Sequence, residues 1–385
     1  MRKLLQSLSG DLALAGISKS KLALNWGISP SGVTAVFKGE RQMRFSYLIK
    51  SLALLNKGVK TESKYISKYV LDAKPKNRRE IMEYLSLRGD FDTLKFVIEK
   101  EHIVGEGKKY TNALNEEWAE VYRWIYKRYT QQNINLLEFY NSLREVNKTT
   151  KSKDMKLLID LLLCQLLYQM GDHKLASEKM HEISDRLNKI PNDFIKSTFD
   201  LRFKEAQAVM YIRNGKITEA RLICDKILSV CKLNPFYILP RAMAYFKKGE
   251  TYLFKNYEKA KYYLIKAHDT LKEIEDFEGV KEKRNMFQFN LSFLKIIHMR
   301  EIDTIGVIHD AERALLEIRL GNNRAGEEIL MGLKEKNGKL TDIQYVYLAL
   351  ARNDESMLRR GYERLLQNND EFYGQQLAKI FLGIL

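Results

Sequence analysis

Apolar residues recur at helical spacing along most of the chain, and few residues interrupt them. Only five prolines occur in 385 residues. The long stretches between the prolines are rich in Leu, Lys, Glu, Ala and Tyr, a composition that together with this spacing favours helices. The pattern predicts an all-α protein with an ample hydrophobic core, since 45% of the residues are apolar.

The most informative pattern lies in residues 18–44, SKSKLALNWGISPSGVTAVFKGERQMR. Ser18 or Ser20 can open a short first helix, and Gly27 allows a left-handed turn that a side chain would resist. The apolar face of that helix has three residues: Leu22, Ala23 and Trp26. Ala23 is small at the point where a second helix must cross closely. This spacing predicts the first helix and the turn of a helix-turn-helix.

A second helix is predicted to begin directly after this turn. Ser29 is a good N-cap and Pro30 is a good first helical residue. The residues expected to face inward are Val33, Val36 and Phe37, and those expected to face outward are Ser31, Gly32, Thr34, Ala35 and Lys38. In a helix-turn-helix the second helix enters the major groove of DNA, and its N-terminal residues meet the edges of the bases.

The predicted DNA contacts combine small polar side chains with basic ones. Ser31 and Thr34 allow close approach to the bases, while basic side chains lie where the phosphates would run. The full predicted set is Lys19, Ser20, Ser29, Ser31, Thr34, Lys38, Arg41 and Arg44. The alternative is an ordinary helical hairpin with a solvated basic face, because short motifs of this kind also arise by chance.

Charge is concentrated at the same end of the chain. The whole chain carries +16, and residues 1–79 hold 16 Lys/Arg against 4 Asp/Glu, so that they account for +12. A basic segment of this kind is expected where a protein meets a polyanion and releases its counterions. No long apolar stripe accompanies the basic residues, which favours double-stranded DNA over a membrane surface.

Targeting and membrane segments are not indicated. Residues 1–16 have too short an apolar run for a signal peptide, and Asp11 interrupts that run. The most apolar segment, residues 157–167, is too short to span a bilayer and contains Asp160. We therefore expect a soluble cytoplasmic protein with no membrane partner.

Signals for catalysis, metal binding or a cofactor are weak. The six histidines are scattered, and none forms an HExxH pair or a recognisable triad. Cys164, Cys224 and Cys231 suggest neither a disulfide framework nor a zinc site, and buried small hydrophobic residues are the expected role of the last two. Residues 104–110, VGEGKKY, lack the full spacing of a phosphate-binding loop and are expected to form a polar loop between helices. The expectation is a protein that is not an enzyme.

A weak internal repeat organises the larger part of the chain. The pattern is a helix that ends in Gly, a polar turn, and a second helix with Ala at its first close crossing, since two helices cannot pack closely around a large residue. Copies occur at 171–176 (GDHKLA), 215–220 (GKITEA), 254–260 (FKNYEKA) and 321–330 (GNNRAGEEIL). Intervals of 44 and 40 residues between Ala176, Ala220 and Ala260 exceed the roughly 34 of an ideal tetratricopeptide repeat but fit irregular members of that class. Stacked helix pairs predict a superhelical solenoid with a concave groove.

The first helix of each pair is expected to line this groove. Candidate positions are Arg202, Arg241, Gln288 and Asn290, whose guanidinium and amide groups can hydrogen-bond the backbone of an extended ligand. The pair Gln288 and Asn290 is favoured because it breaks an aromatic run, and polar groups placed there need partners. For any one of these residues, a solvated helix face is the alternative.

The order of several segments resembles the arbitrium receptors of SPbeta-like Bacillus phages, which belong to the peptide-regulated transcription factors of Gram-positive bacteria and their phages. The likeness is diffuse but runs nearly end to end. Residues 71–101 resemble the helix pair that follows the family's linker. The other segments are EEWAEVYRWIYKR at 116–128, YLFKNYEKA at 252–260, FQFNLSFL at 287–294 and LLQNNDEFY at 365–373.

The resemblance implies a specific function. The family's receptors are dimeric DNA-binding proteins that activate transcription of a lysogeny-inhibiting element. A short secreted phage peptide of about six residues binds the solenoid, abolishes productive DNA binding and favours lysogeny. For this chain the resemblance therefore implies three partners, namely operator DNA, a short signalling peptide and a second copy of the chain.

The resemblance also assigns residues by position. Asp370 corresponds to an acidic residue that holds the peptide's amino terminus, a pairing that makes physical sense, and Arg202 matches a groove arginine. Leu239 and Glu250 stand near positions where the family has an arginine and an asparagine, so the peptide of this chain can differ. An apolar C-terminus forms a dimer contact in the family, and an exposed apolar end favours the same role here, although capping of the solenoid is the alternative. The implied dimerisation residues are Leu377, Ile380, Phe381, Ile384 and Leu385.

These observations divide the chain into three parts. Residues 1–60 are predicted to form a helix-turn-helix domain, residues 61–76 a linker helix region, and residues 77–385 a tetratricopeptide-like solenoid with a peptide groove and a C-terminal dimerisation or capping helix. The leading hypothesis is a peptide-gated transcriptional regulator. The second hypothesis is a helical scaffold that binds and sequesters a protein partner.

Overall fold

A computed structural model describes residues 1–102 and 113–382 of the chain. These residues form 21 α-helices and one short 3-10 turn, with no β-strand among them. The prediction of an all-α protein is therefore confirmed. Three features predicted from the sequence lie outside the described residues, namely the polar loop at 104–110 and the terminal residues Ile384 and Leu385.

The first five helices form an N-terminal unit that we call the head. They are α1 (Arg2–Leu14), α2 (Lys19–Trp26), α3 (Pro30–Lys38), α4 (Phe45–Leu55) and α5 (Val59–Leu71). The core of the head is built around Trp26, which stacks on Tyr47 at 4.8 Å and donates a hydrogen bond from Nε1 to the Ser51 hydroxyl at 3.1 Å. This indole is buried and has its polar partner, so it fixes α2 against α4.

The remaining sixteen helices form the second unit, which we call the body. Its first half contains α6 (Pro75–Arg88), α7 (Phe91–His102), α8 (Ala113–Thr130), α9 (Leu136–Thr149), α10 (Lys153–Met170), α11 (His173–Leu187), α12 (Asp193–Arg213) and α13 (Ile217–Leu233). Its second half contains α14 (Ile238–Glu250), α15 (Tyr257–Leu271), α16 (Glu278–His298), α17 (Asp310–Arg319), α18 (Asn323–Asn337), α19 (Asp342–Ala351), α20 (Glu355–Gln367) and α21 (Glu371–Leu382). Neighbouring helices pack as successive pairs, as expected for a solenoid.

Small residues stand where the paired helices cross, as the repeat pattern predicts. Ala176, Ala220 and Ala260 are completely buried near the start of the second helix of three pairs. In the fourth pair Gly326 takes this place, and a Cβ atom there would lie 2.5 Å from Ile318 Cγ1 and 2.9 Å from the Ala314 carbonyl oxygen. A larger residue would separate the helices, so these positions set the spacing within each pair.

The body curves back on itself, because helices that are distant in sequence pack together. Helix α6 contacts α12 and α14, helix α8 contacts α16, and the C-terminal helix α21 contacts α12. The apolar core is continuous through these contacts and through the head. The C-terminal helix α21 therefore packs back against the middle of the body.

The head is joined to the body by a packed junction. Phe45, the first residue of α4, makes edge-to-face contacts with Tyr84 of α6 at 5.4 Å and with Phe194 of α12 at 6.0 Å. Residues 61–76, the predicted linker helix region, contain most of α5. This helix packs against α1, its Tyr69 hydroxyl donates to the Met43 carbonyl at 2.7 Å, and its Glu62 binds Arg88 of α6 at 2.6 Å. Helix α5 thus contacts both the rest of the head and the body.

Helix α10 contains the most apolar segment of the sequence, and most of its apolar side chains are buried in the core. Among the described residues, no helix is long and apolar enough to cross a membrane.

Candidate DNA-binding surface and groove

Local capping interactions fix the helix-turn-helix. The Ser18 hydroxyl accepts a hydrogen bond from the Lys21 N–H at 3.2 Å, so α2 begins at Lys19. Gly27 adopts the left-handed conformation, with φ at 72°, and ends this helix. The Ser29 hydroxyl accepts from the Gly32 N–H at 3.1 Å, and Pro30 is the first residue of α3. The predicted boundaries of both helices are confirmed.

Seven of the eight predicted DNA-binding residues are exposed, and Thr34 is half-buried. The serine and threonine hydroxyls among them already have local partners. Ser29 Oγ and Ser31 Oγ lie 2.9 Å apart, and the Thr34 hydroxyl donates to the Pro30 carbonyl at 3.2 Å. Ser29 therefore has a structural role as the cap, while Ser31 and Thr34 present small polar groups at the start of α3.

The outward face of α3 differs from the prediction at one position. Gly32 was expected to face outward, but it is buried. A Cβ atom at this position would lie 3.3 Å from Ile28 Cδ1 and 3.6 Å from Arg41 Nη1. The Arg41 guanidinium thus lies close to the N-terminal turn of α3, where the orphan backbone N–H groups also attract anions.

The positive charge of the predicted DNA-binding surface is largely unbalanced, because most of the four acidic residues between residues 1 and 72 pair with groups elsewhere. Asp11 accepts a hydrogen bond from Tyr65 and pairs with Lys57, and these two contacts lower the pKa of its carboxyl group. Glu62 is buried against Arg88, and Asp72 pairs with the chain's amino terminus. Only Glu40 lies beside a predicted DNA-binding residue, with its Oε1 3.9 Å from Lys38 Nζ. An exposed pair at this distance contributes little.

In the body, Gln288 lines a cavity of about 400 Å³. We call this the α16 cavity; its walls are His268, Lys281, Arg284, Asn285, Gln288, Leu291, Ser292, Lys295, Thr304, Gly306 and Val307. Most of these residues form one stripe of α16 at helical spacing. Among the predicted groove residues, Gln288 therefore lies in a concave site of the size that small ligands occupy.

Two of the other three amide and guanidinium candidates, Asn290 and Arg241, have partners on or near the surface. Asn290 is half-buried, and its Nδ2 donates to the Met286 carbonyl of the same helix at 3.0 Å. Two residues along a helix point in different directions, so Gln288 and Asn290 do not act as a pair. Arg241 on α14 pairs with Glu273, with 2.5 Å between Nη2 and Oε1, and its side chain is 18% exposed.

Arg202 lies in the core and not on the groove surface that the resemblance implies. Its guanidinium binds both carboxylate oxygens of Glu83, with Nε–Oε1 and Nη2–Oε2 distances of 3.0 Å, and donates to the Ser86 hydroxyl at 2.5 Å. Burial alone would lower the pKa of Arg202, but the Glu83 carboxylate more than offsets it and the pKa is raised. Arg202 is thus fully occupied within the protein.

Asp370 is also buried, with 3% of its surface exposed. Arg213 at the end of α12 donates from Nη1 to both carboxylate oxygens of Asp370, at 3.2 and 3.1 Å. His173 Nε2 lies 3.7 Å from the same carboxylate. Burial raises the pKa of Asp370 despite the nearby arginine. We call this set the clasp, because it holds the α20–α21 end of the chain to α12.

Glu250 completes the clasp. Its Oε1 lies 3.4 Å from Arg213 Nη2 and accepts a hydrogen bond from the Tyr373 hydroxyl at 3.1 Å, while Oε2 accepts one from Lys247 at 2.8 Å. Although burial opposes its charged form, Lys247 and Arg213 lower the pKa of Glu250. Glu250, where this sequence departs from the family it resembles, is therefore a buried member of a cluster of charges.

The C-terminal helix is only partly available for contact with a second copy. Leu377 is completely buried within the protein, so it is not a surface residue as the resemblance implies. Ile380 is 36% exposed, and Phe381 is half-buried against the core. These two residues are the members of the predicted set that reach the surface among the described residues.

Several important side chains had no clear sequence signal. Glu83, Arg213 and Lys295 look in sequence like ordinary charged residues on amphipathic helices. Their partners are far away: Glu83 and Arg202 are 119 residues apart, and Arg213 and Asp370 are 157 apart. Cys224 and Cys231 are buried, as predicted, and Cys164 is buried as well; burial raises the pKa of each thiol to about 12. The described residues contain no cluster of ligands suited to a metal ion.

Comparisons with known proteins agree with this architecture. The chain is 23% identical over 327 residues to the AimR transcriptional regulator of Bacillus phage phi3T. This alignment covers 82% of this chain and 80% of that protein. It is also 28% identical over 241 residues to an uncharacterised protein of Bacillus anthracis. That alignment covers 63% of this chain and 89% of the relative.

Two solved structures share the fold. The structure of phAimR with ligand has a TM-score of 0.72 at 21% identity and covers 89% of this chain and 98% of that one. The structure of selenomethionine phAimR has a TM-score of 0.60 at 20% identity and covers 99% of this chain and 96% of that one. The sequence model of the AimR transcriptional regulator-like family matches residues 62–378, which include nearly the whole body. This chain therefore belongs to the AimR transcriptional regulator-like family.

Proposed function

We propose that this protein is a peptide-gated transcription factor that binds operator DNA as a homodimer and releases it when a short peptide binds the body. In a phage this switch would control the choice between lysis and lysogeny. The observation that carries the proposal is the capped helix-turn-helix, whose second helix presents Ser31 and Thr34 beside exposed basic side chains. Membership of a family of transcriptional regulators supports the same assignment.

The geometry of the head suits a DNA duplex. Ser31 and Thr34 lie in the first turn and a half of α3, the part of a recognition helix that reaches base edges. The Arg41 guanidinium lies beside this turn, while Lys19 at the start of α2 and Lys38 at the end of α3 are exposed. We assign these three basic side chains to phosphates. Each phosphate contact releases counterions, so affinity is expected to fall steeply with salt.

The body offers two places for the proposed peptide. Gln288 in the α16 cavity can hydrogen-bond backbone groups of the peptide. Arg241 on α14 now pairs with Glu273, whose side chain is 42% exposed, and a carbonyl or carboxylate of the peptide can take the place of Glu273. The peptide's amino terminus is assigned to Asp370. Because Arg213 already holds this carboxylate, the peptide's ammonium group has to replace Arg213 and open the clasp.

The proposed dimer contact involves the exposed parts of α21, Ile380 and Phe381. Two heads read two half-sites only when their separation matches the DNA, so a change in the curvature of the body removes both contacts together. This explains how one small peptide can abolish binding to a long operator.

DNA binding is tested by fluorescence anisotropy with labelled fragments from upstream of the protein's own gene and its neighbours. We expect Arg41→Gln to weaken binding to every fragment and to reduce the salt dependence by about one unit of log Kd per log salt. Thr34→Val is expected to weaken binding to the operator by about 1 kcal/mol or more and to leave other fragments unchanged. Lys226→Gln, an exposed residue of α13, is the control for loss of one charge. Absence of salt-sensitive binding to any fragment contradicts the proposal.

Peptide gating is tested with synthetic peptides from the C-termini of short secreted open reading frames next to the gene. The cognate peptide is expected to release the operator, and an N-acetylated version is expected to fail because it lacks the ammonium group. Asp370→Asn should retain DNA binding and lose the response to the peptide. Equal responses to the free and acetylated peptides would refute the role of Asp370.

A further inference from the structure

The α16 cavity has an unusual distribution of charge. Four of its walls are basic side chains, His268, Lys281, Arg284 and Lys295, and none of its wall residues is acidic. The neutral walls are mainly hydrogen-bonding groups, including Asn285 and Gln288. A concave site lined by one sign of charge focuses the field and attracts ligands of the opposite sign.

Lys295 is the strongest indication of an anionic ligand. This lysine is 93% buried, since only 7% of its surface is exposed. Its Nζ donates to the carbonyl oxygen of Thr304 at 2.9 Å and to the hydroxyl at 2.6 Å, which leaves one of its three donors. Among the described residues, Lys295 forms no ion pair within 4.0 Å. Glu301 is a more distant carboxylate, and its two oxygens already accept hydrogen bonds from Lys261 Nζ at 2.6 and 2.7 Å. A buried ammonium without a carboxylate is costly, and an anion in the cavity offsets that cost.

Arg284 supplies a second cation with spare donors. Its Nε is buried and has no hydrogen-bond partner, while Nη2 pairs with Asp276, whose side chain is 65% exposed. Lys281 likewise pairs with Glu278 at 2.9 Å on the surface, where 34% of the glutamate side chain is exposed. Exposed ion pairs of this kind are weak, so both cations can turn toward a ligand in the cavity.

We propose that the α16 cavity binds an organic phosphate, with Arg284 and Lys295 holding the phosphate group. Lys295 keeps one spare donor and Arg284 has a buried Nε–H without a partner. A phosphate group offers three acceptor oxygens and up to two negative charges, so it can bind both residues at once and also reach Lys281. The volume of about 400 Å³ exceeds that of a bare phosphate and falls in the range of small-molecule sites. Leu291 and Val307 provide an apolar wall for the organic part, and the amides of Asn285 and Gln288 can hydrogen-bond it.

Phosphate binding at this site requires neither DNA nor peptide, although the site shares Gln288 with the proposed peptide groove. The phosphate would be a second ligand of the body, bound beside the peptide. Occupancy would tie α16 to residues 304–307, because Lys295 already bridges these two segments through Thr304. The regulator would then respond to a metabolite as well as to a peptide.

The proposal is tested by isothermal titration of the full-length protein with inorganic phosphate, pyrophosphate and adenosine diphosphate at about 0.15 M salt. We expect saturable binding with Kd below about 1 mM, tighter for the diphosphates than for inorganic phosphate. Lys295→Met should weaken binding at least about tenfold, because it removes a charge-assisted hydrogen bond. Arg284→Gln is a second variant, at the rim of the cavity, in case Lys295→Met does not fold.

Lys226→Met is the matched control, since it removes an equal charge from an exposed position on α13. It should bind the three probes as the wild type does. The proposal is overturned if none of the probes binds, if Lys295→Met and Arg284→Gln bind like the wild type, or if Lys226→Met loses as much affinity as they do. The titration contains neither DNA nor peptide, so its failure is distinct from failure of the proposed regulator function.

Discussion

At the scale of single residues, part of the body is held together by buried ion pairs. The carboxylate of Glu83 is completely buried and is bound by Arg202 and by the Tyr122 hydroxyl at 2.7 Å. It joins α6, α8 and α12, three helices that are not neighbours in sequence. Such a network contributes stability only while every member has its partners, because an unpaired charge in the core is strongly unfavourable.

Removal of one partner of this network should therefore be costly. We expect Arg202→Met to lower the free energy of unfolding by about 3–5 kcal/mol, because it leaves the Glu83 carboxylate unpaired. The double variant Glu83→Gln/Arg202→Met should regain much of that loss. Urea denaturation measures both values, with Arg324→Met as the control, since the Arg324 side chain is 94% exposed and forms a surface pair with Glu328. A double variant no more stable than Arg202→Met would contradict the argument.

His173 gives the clasp a specific dependence on pH. Burial, together with the nearby charges of Arg213 and Lys247, lowers the pKa of its imidazole to about 3. The unfolded chain takes up this proton near pH 6.5 and the folded protein does not, so stability is lost as pH falls from 6.5 toward 3. The loss is about 1.4 kcal/mol per pH unit.

Comparison of variants on the same helix isolates this contribution. Between pH 7.5 and 5.5 the wild type should lose about 1.4 kcal/mol more of its free energy of unfolding than His173→Gln, which has no imidazole to protonate. His181→Gln, at an exposed position of α11, should follow the wild type. Equal losses in wild type and His173→Gln would show that His173 is not buried in its neutral form.

At the scale of helices, local signals predict structure well and distant contacts do not appear in the sequence. The boundaries of α2 and α3 follow from Ser18, Gly27, Ser29 and Pro30, each of which acts on the backbone within a few residues. Small residues at helix crossings are local too, which explains why the repeat could be predicted. The burial of Arg202 and Asp370 in ion pairs has no local signal, because their partners Glu83 and Arg213 lie more than 100 residues away in sequence.

The crossing of α17 and α18 provides a test within one helix. Gly326→Ala would place a Cβ atom within 2.9 Å of two neighbouring atoms, so it should lower the free energy of unfolding by about 1–3 kcal/mol. Gly332 lies on the same helix with nothing within 4 Å of its Cβ position, and Gly332→Ala should raise stability by about 0.5–1 kcal/mol. Thermal unfolding measures the stability of both variants. Equal destabilisation at the two positions would contradict the claim that α17 and α18 pack closely at Gly326.

At the scale of the whole molecule, α12 connects the head to the clasp. Its first turn carries Phe194, which contacts Phe45 of the head, and its last residue, Arg213, holds Asp370. A straight helix of 21 residues spans roughly 30 Å. Movement of Arg213 when the clasp opens can therefore reach the junction under the head through one rigid element, which is the connection that peptide gating requires.

A disulfide across the clasp tests this connection. The Cβ position of Gly215 lies 3.9 Å from Glu371 Cβ, within the range that a disulfide bridges. Gly215 has a left-handed φ of 67°, so a cysteine there strains the backbone, but the short distance should still let Gly215→Cys/Glu371→Cys form a bond under mild oxidation. The bond is visible as a shift on a non-reducing gel, while the three native cysteines stay buried. The oxidised protein should bind the operator yet fail to release it with the cognate peptide, since Asp370 stays covered by Arg213. Reduction should restore release, and either single variant should respond normally. Release from the oxidised form would show that the peptide acts without separating α21 from α12.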